Sequence, residues 1–484
     1  MKILFAASEG APFVKSGGLG DVAGALPAAL TKIPNTEVCV FLPYYESIKH
    51  NSAFQIEYVC HFYMPLAWRS TYVGIFKAVI KNRGVGKNKR NDLVYYFIDN
   101  EYYFGRNGYG YHDDGERFAF FSKAILESLY HIDFVPDIIH CNDWQTGFIP
   151  LFYKAFYASS ERLSRIKTLY TIHNIEYQGK ADPPFVQEVL GVDSRWQGAV
   201  MFDGLVNAMK SAIVLADRLT TVSDTYSHEL KYAYFASGLE CIIGQNAYKM
   251  SGIVNGIDTV SYDPAKDTKI VSPYRSADIS GKAENKRHLQ ERLSLPVQAD
   301  TPIVAIISRL VVHKGMELCE YIGERIASSG VQLVVLGTGD KRYEDYFKFL
   351  AYNYPHNVSA NIYFDDGLAR QIYAGADFLL MPSKSEPCGL SQMIAMRYGT
   401  LPIVRETGGL VDTVPPLNTE TLEGLGFTFK CFNAHDMLEA VHRAAGFYQD
   451  RPKMERAIKS AMRVDWSWKN SAAKYMDIYR SLVE

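Results

Sequence analysis

Two short segments of this 484-residue chain combine glycines with a strand-to-helix pattern suited to gripping a phosphate ester. The first, Lys15-Ser16-Gly17-Gly18-Leu19-Gly20-Asp21-Val22, stands just behind the apolar run Lys2-Ile3-Leu4-Phe5-Ala6-Ala7. The second and weaker one, Thr407-Gly408-Gly409-Leu410-Val411-Asp412, follows Leu401-Pro402-Ile403-Val404. Each predicts a strand, a glycine turn and a helix start. Glycine lets the backbone come close to a ligand, and bare N–H groups at a helix start attract anions. One such turn in each half of the chain implies two α/β domains sharing one phosphate-bearing ligand. A dinucleotide is a poor fit: Gly18, Gly20 and Gly24 give G-x-G-x-x-x-G, and the second strand ends Phe41-Leu42-Pro43 with no acidic residue.

Other residues add chemistry to these turns. In Ser308-Arg309-Leu310-Val311-Val312-His313-Lys314-Gly315, an arginine fork and a lysine point charge can converge on one diphosphate, or belong to a solvated loop. The chain contains no D-x-D triplet and no Cys/His cluster, so no metal is expected, and cationic side chains would stabilise a departing diphosphate. In Pro382-Ser383-Lys384-Ser385-Glu386-Pro387-Cys388-Gly389-Leu390, Glu386 falls at a strand end, where open α/β sheets bind ligands. It can accept two sugar hydroxyls or serve as a helix-start anion; Cys388 reads as a small buried residue. His173, in Tyr170-Thr171-Ile172-His173-Asn174, fits a sugar contact and a satisfied strand-end histidine equally well. Asp143, in His140-Cys141-Asn142-Asp143-Trp144-Gln145, suits an acidic site group, a helix N-cap, or both.

The elements that position these residues alternate as short apolar and longer amphipathic stretches, the pattern of parallel sheets covered by helices. Strands are predicted near 2–7, 37–42, 94–98, 138–141, 167–172 and 218–222, then near 303–308, 331–336, 358–363, 378–381 and 401–404. Helices are predicted after the first turn, near 116–130, 144–158, 203–216 and 223–233, and seven times more after residue 315, with Ser223 as an N-cap. The polar, proline-bearing stretch from Asn255 to Pro302 reads as the crossing between domains. The last helix, 467–482, carries Trp468, Tyr475 and Tyr479 and is expected to pack back on the first domain.

Composition narrows the class. A formal net charge of −2 offers no field to gather nucleic acid or an anionic membrane. No apolar run reaches the roughly 20 residues of a membrane helix, and no signal peptide is apparent. Seven cysteines without a C-x-x-C pair point to a reducing compartment, so a cytoplasmic location is expected, or a plastid once a transit peptide is removed. Tyr (33) and Phe (26) are abundant, as on many carbohydrate-binding surfaces, although most belong in a core.

Taken in order, these motifs resemble the bacterial glycogen synthase and plant starch synthase family of retaining glucosyltransferases. The series runs from Lys15–Val22 through 140–144, 171–174, 255–258, 308–315, 374–377 and 386–392 to 407–410. The resemblance implies a GT-B fold, two Rossmann-like doubly wound domains facing a central cleft. Residues 1–258 with the returning helix 466–484 would form the acceptor-side domain and 259–465 the nucleotide-sugar domain. It implies glucose transfer from ADP-glucose, or UDP-glucose, to the non-reducing end of an α-1,4-glucan such as glycogen, starch or a maltooligosaccharide, with no cofactor. By the same resemblance Lys15, Arg309 and Lys314 would hold the diphosphate, while His173, Asn255, Glu386 and the backbone of Cys388-Gly389-Leu390 would contact the glucose. Asp143 would lie beside the reaction centre, Asp21 and Phe364 on the nucleotide side, and Gly17, Gly18, Gly408 and Gly409, with Thr407, would bring N–H groups to the donor. Two positions depart from the pattern: Ile394 replaces a ribose-binding glutamate and Arg370 a histidine. A non-catalytic glucan-binding homologue, or another GT-B enzyme acting on a sugar nucleotide, is the alternative.

Overall fold

The computed structural model describes residues 1–81 and 92–484. The chain forms two compact units, Met1–Gly256 with Trp468–Glu484, and Ile257–Ser467. Sequence placed the changeovers at 258 and 466. Ile257 lies in the second unit because its N–H donates to Trp466 O at 2.8 Å.

The strands of the first unit are β1 (Lys2–Ala6), β2 (Glu37–Pro43), β3 (Glu57–Leu66), β4 (Arg69–Ile80), β5 (Leu93–Asp99), β6 (Ile138–Asn142), β7 (Lys167–Ile172), β8 (Lys180–Ala181), β9 (Met201–Phe202), β10 (Leu205–Asn207), β11 (Arg218–Thr221) and β12 (Met250–Gly252). Nine of them make one sheet in the order β12-β11-β7-β6-β1-β2-β5-β4-β3, and β8, β10 and β9 form a small separate one. β1 pairs in parallel with β2 on one side and β6 on the other, so the strand order reverses there. Ile3, Leu4, Phe5 and Ala6 are fully buried, as a central strand covered on both faces requires. The hairpin β3–β4 is absent from the sequence reading, although Phe62, Met64 and Leu66 point inward while His61, Tyr63 and Pro65 point outward, a period-2 pattern.

In the second unit, β13 (Ile303–Ile307), β14 (Gln332–Leu336), β15 (Val358–Asn361), β16 (Phe378–Met381), β17 (Leu401–Arg405) and β18 (Phe427–Phe429) form an all-parallel sheet, ordered β15-β14-β13-β16-β17-β18. Its reversal lies between β13 and β16. Within the stretch read as a crossing lies a helix, Gly281–Arg292. Its inward face is polar: Lys282 Nζ donates to Ala374 O and Ala376 O at 3.0 and 2.8 Å, and Lys286 Nζ meets Asp377 at 2.8 Å. With no apolar stripe, it left no periodic signal.

Other boundaries also moved. The segment read as a helix over 144–158 is broken into Trp144–Thr146, Ile149–Phe152 and a wider turn, Tyr153–Tyr157. That over 203–216 begins as β10, and the helix Ala208–Leu215 follows, capped by the Asn207 side chain. Ser223 caps its helix as expected, accepting from Tyr226 N at 3.1 Å. The terminal helix Trp468–Val483 buries Trp468, Tyr475 and Tyr479 in the first unit's core. There the Tyr479 hydroxyl lies 2.7 Å from His140 Nδ1. No helix among the described residues is long and apolar enough to cross a membrane.

Candidate active site

In the first unit the site residues follow the carboxyl ends of β1, β6 and β7, beside the reversal of strand order, where open α/β sheets take ligands. The glycine turn leads into the helix Gly18–Leu30 with Gly17 as its extended N-cap. A residue unmarked in the sequence holds this turn. Glu9 is 2% exposed, and its carboxylate accepts from Ser16 N at 2.6 Å, from the Ser16 hydroxyl, and from Gly20 N at 2.9 Å. The N–H groups of Gly17, Gly18 and Leu19 find no acceptor among the described residues, so they stay available for an anion. Lys15 and Asp21 form a half-exposed ion pair at 2.7 Å. The signal for Glu9 was its place right after a central strand, but a lone glutamate beside glycines has no spacing to mark it.

Asp143 sits at φ 56°, ψ −179°, a region essentially reserved for glycine. The N-cap reading does not apply, because its side chain makes no cap bond; it accepts from His173 N at 2.7 Å and Asn174 N at 3.3 Å. Burial pushes its carboxyl up to about 7, against the pull of those two N–H groups and with a small push from the Glu9 charge. His173 is held beside it, Nε2 lying 2.9 Å from Asn142 Oδ1. Burial lowers its pKa to about 3, so the ring is neutral. Asn255 is buried, and its Oδ1 has no hydrogen-bond partner among the described residues. A buried amide oxygen left open in this way suits a ligand hydroxyl.

In the second unit, Arg309 follows β13, Lys314 closes the turn Val312–Lys314, and Glu386 lies in the loop after β16. Gly315, at φ 76°, is required: a Cβ there would stand 2.0 Å from Pro382 O. Ser308, Arg309, Lys314, Glu386, Gly389 and Leu390 line one cavity of about 200 Å³. Lys314 Nζ lies 2.6 Å from Glu386 Oε2, which also accepts from Ser383 Oγ at 2.9 Å. Glu386 is 5% exposed, so one oxygen is tied down and the carboxylate has a fixed aim. The N–H groups of Gly389 and Leu390 find no acceptor among the described residues, while Gln392 Nε2 holds the Cys388 and Gly389 carbonyls at 3.0 Å. Cys388 is buried.

The second glycine turn differs from expectation. Gly409 N already donates to Glu386 O at 3.0 Å and Pro387 O at 3.2 Å, so it is not a free donor for a ligand. Gly409 is there for closeness, since a Cβ would stand 2.3 Å from Cys388 O. Thr407 and Gly408 precede it, and the helix it opens, Gly409–Thr413, is a single short turn. Phe364 lies outside the cavity with its ring 90% exposed. Arg370 is buried and committed to Asp267, Asp366 and Ser261. It therefore holds the fold. Ile394 is buried within Ser391–Arg397. Among the described residues no three His, Cys, Asp or Glu side chains gather as a metal site.

Comparisons with known proteins cover the whole chain. Residues 2–245 match the model of the starch synthase catalytic domain and residues 290–463 that of glycosyl transferases group 1. A glycogen synthase of Clostridium novyi is 46% identical over 487 residues, covering 100% of this chain and 99% of that one. One of Bacillus cereus is 45% identical over 489 residues, with 100% of each chain covered. The catalytic domain of starch synthase IV from Arabidopsis thaliana, solved bound to ADP and acarbose, superposes with a TM-score of 0.89 at 33% identity, over 100% of this chain and 99% of that one. Sucrose-phosphate synthase from Thermosynechococcus elongatus, at 17% identity and a TM-score of 0.60 over 99% and 98% of the two chains, shares the fold.

Proposed function

The chain belongs to the glycogen synthase and starch synthase family of glucosyltransferases, and from that premise we propose that it transfers glucose from ADP-glucose to the non-reducing end of an α-1,4-glucan with retention at the anomeric carbon. The observation that carries the reading is the cavity in which Arg309, Lys314 and Glu386 meet. Breaking the anomeric C–O bond leaves negative charge on the diphosphate and positive character on the sugar. Arg309 and Lys314 answer the first with cationic charge lining the cavity. Glu386, held by Lys314 and Ser383, has an oxygen left for sugar hydroxyls. In the first unit, Lys15 and the free N–H groups of Gly17 and Gly18 are assigned to the phosphates, and His173 and Asn255 to the glucose. Asp143 is assigned to the acceptor side. Phe364 offers its exposed ring to the base, and ADP is favoured over UDP because the starch synthase relative was solved with ADP.

Retention by double displacement needs a carboxylate nucleophile against the anomeric carbon. Glu386 is bound to a lysine, and Asp143 is held by two N–H groups and, raised to about 7, is only partly ionised near neutrality, so neither suits that role. We therefore favour front-face substitution. The acceptor hydroxyl forms the new C–O bond on the face the phosphate leaves, and its proton passes to the departing phosphate oxygen. The test is glucose transfer onto glycogen from ADP-glucose and UDP-glucose in parallel, with EDTA present and the product digested by an α-1,4-specific amylase. Faster elongation from ADP-glucose, unaffected by chelation, is expected. Nucleotide release without elongation would overturn the acceptor, and no turnover with either donor would overturn the reaction.

A further inference from the structure

We propose that Asn142 sets the tautomer of His173, so that the ring meets a bound sugar as a hydrogen-bond acceptor at Nδ1 and never as a donor there. The inference rests on His173 being a sugar contact, and it deepens that reading. Asn142 ends β6 and is fully buried. Its Nδ2 faces two carbonyls, Ala6 O at 3.0 Å and His140 O at 3.3 Å. Carbonyls only accept, so the amide nitrogen belongs on that side, and the group 2.9 Å from His173 Nε2 is the oxygen. An amide oxygen has no proton to give, so Nε2 carries the hydrogen. In a neutral imidazole Nδ1 is then a bare lone pair. The His173 N–H bond to Asp143 Oδ1 at 2.7 Å fixes the backbone on the other side, and Nδ1 has no partner among the described residues.

Burial keeps the ring in this form, with its pKa near 3. The titratable groups around the His173–Asp143 pair are His140 on β6, Glu9 after β1, Tyr170 on β7, Tyr109 and Tyr226. None is a cation that would repel a proton on Nδ1, so the tautomer rests on Asn142. The chemical consequence is selective. A bare nitrogen takes a hydroxyl proton and repels a carboxylate or phosphate oxygen, so the position suits an unmodified hexosyl hydroxyl, and His173 is no general acid. Asn142 is accordingly a positioning residue.

The experiment is a two-bond ¹H–¹⁵N correlation spectrum of the full chain with ¹⁵N-labelled histidine rings, His173 being assigned by its loss in His173→Gln. An Nε2–H tautomer that does not titrate where free histidine does is expected; protonation at Nδ1, or titration in the ordinary range, would overturn the proposal. Asn142→Asp keeps an acceptor at Nε2 but favours the imidazolium, so the acid limb of kcat/KM for the donor should move to higher pH; an unmoved limb would count against it. Asn142→Ala frees the ring to mix tautomers and should lower donor kcat/KM about tenfold, the worth of one neutral hydrogen bond, with KM for glycogen unchanged. Should the alanine variant not fold, the wild-type spectrum and the aspartate variant decide. The spectrum needs no turnover, so the expected tautomer in a protein that elongates no glucan would overturn the function and leave the tautomer standing.

Discussion

Both units place a glycine turn at the carboxyl end of a parallel strand, yet the two turns are built oppositely. In the first, a side chain does the holding: the Glu9 carboxylate takes the N–H groups of Ser16 and Gly20 and leaves those of Gly17, Gly18 and Leu19 open. In the second, the main chain does it, as Gly409 N is spent on the Glu386 and Pro387 carbonyls. That bond ties the turn to the loop that carries Glu386. The first turn is therefore a donor nest heading a long helix, and the second is a brace for the loop that carries Glu386. Their charges differ in the same sense. Lys15 and Asp21 pair at the surface, whereas Lys314 and Glu386 pair over a nearly closed carboxylate. Similar sequence signals at two strand ends thus leave backbone donors open in one place and brace a loop in the other.

The largest effect expected from this contrast belongs to the second unit's cationic side chains. Arg309→Ala and Lys314→Ala should each lower kcat by roughly 10²–10³, read by steady-state assay with saturating donor. A loss of tenfold or less in both would remove their role in stabilising the departing diphosphate. In the first unit, Glu9→Gln keeps the shape but turns an amide N–H toward backbone donors. Losing a charge-assisted bond should raise donor KM by about 10–100-fold while leaving KM for glycogen alone. Equal changes in both constants would mean that Glu9 acts on the fold at large.

Gly409→Ala forces a methyl against Cys388 O and should cost about 1–3 kcal/mol, seen as a lower Tm together with reduced activity. Gly17→Ala places its methyl 3.7 Å from Glu9 Oε1, an ordinary contact, and should leave Tm nearly unchanged. A reversed ranking of the two glycines would break the distinction between brace and nest.

The smallest effect is a pH dependence set by the Asp143–His173 pair. Asp143 is raised from 3.8 to about 7, so the folded state holds the extra proton and stability falls as pH rises through that window. His173 is lowered from 6.5 to about 3, so there the unfolded state holds more protons and stability rises with pH. The two slopes oppose each other between roughly pH 4 and 6. Denaturation of Asp143→Asn should show stability climbing with pH across that window, and of His173→Gln stability declining. Two parallel profiles would mean that the pair is not buried as described.

The sequence carried most of this architecture wherever a strand is buried on both faces, since β13 and β16 are unbroken apolar runs and β1 is one after Lys2. It failed where burial is polar. The helix Gly281–Arg292 turns lysines and amides inward, and only the carbonyls they bond, which come from distant residues, explain it. The same limit applies at the site. Arg309, Lys314 and Glu386 were legible because cations and a carboxylate at strand ends have a recognisable spacing. Glu9 and Asn142 were not, because each acts on one neighbour through a contact that spacing does not encode.

The helix Trp468–Val483 belongs to the unit that opens the chain, and Tyr479 reaches His140 in β6, the strand that ends at Asn142 just before Asp143. During synthesis the whole second unit leaves the ribosome before these residues do. The first unit to begin therefore waits on the second, and His140 stays without its buried partner until Tyr479 has been added. A stop codon placed just before Trp468 would spare the cavity lined by Arg309, Lys314 and Glu386 and strip the first unit of its closing helix.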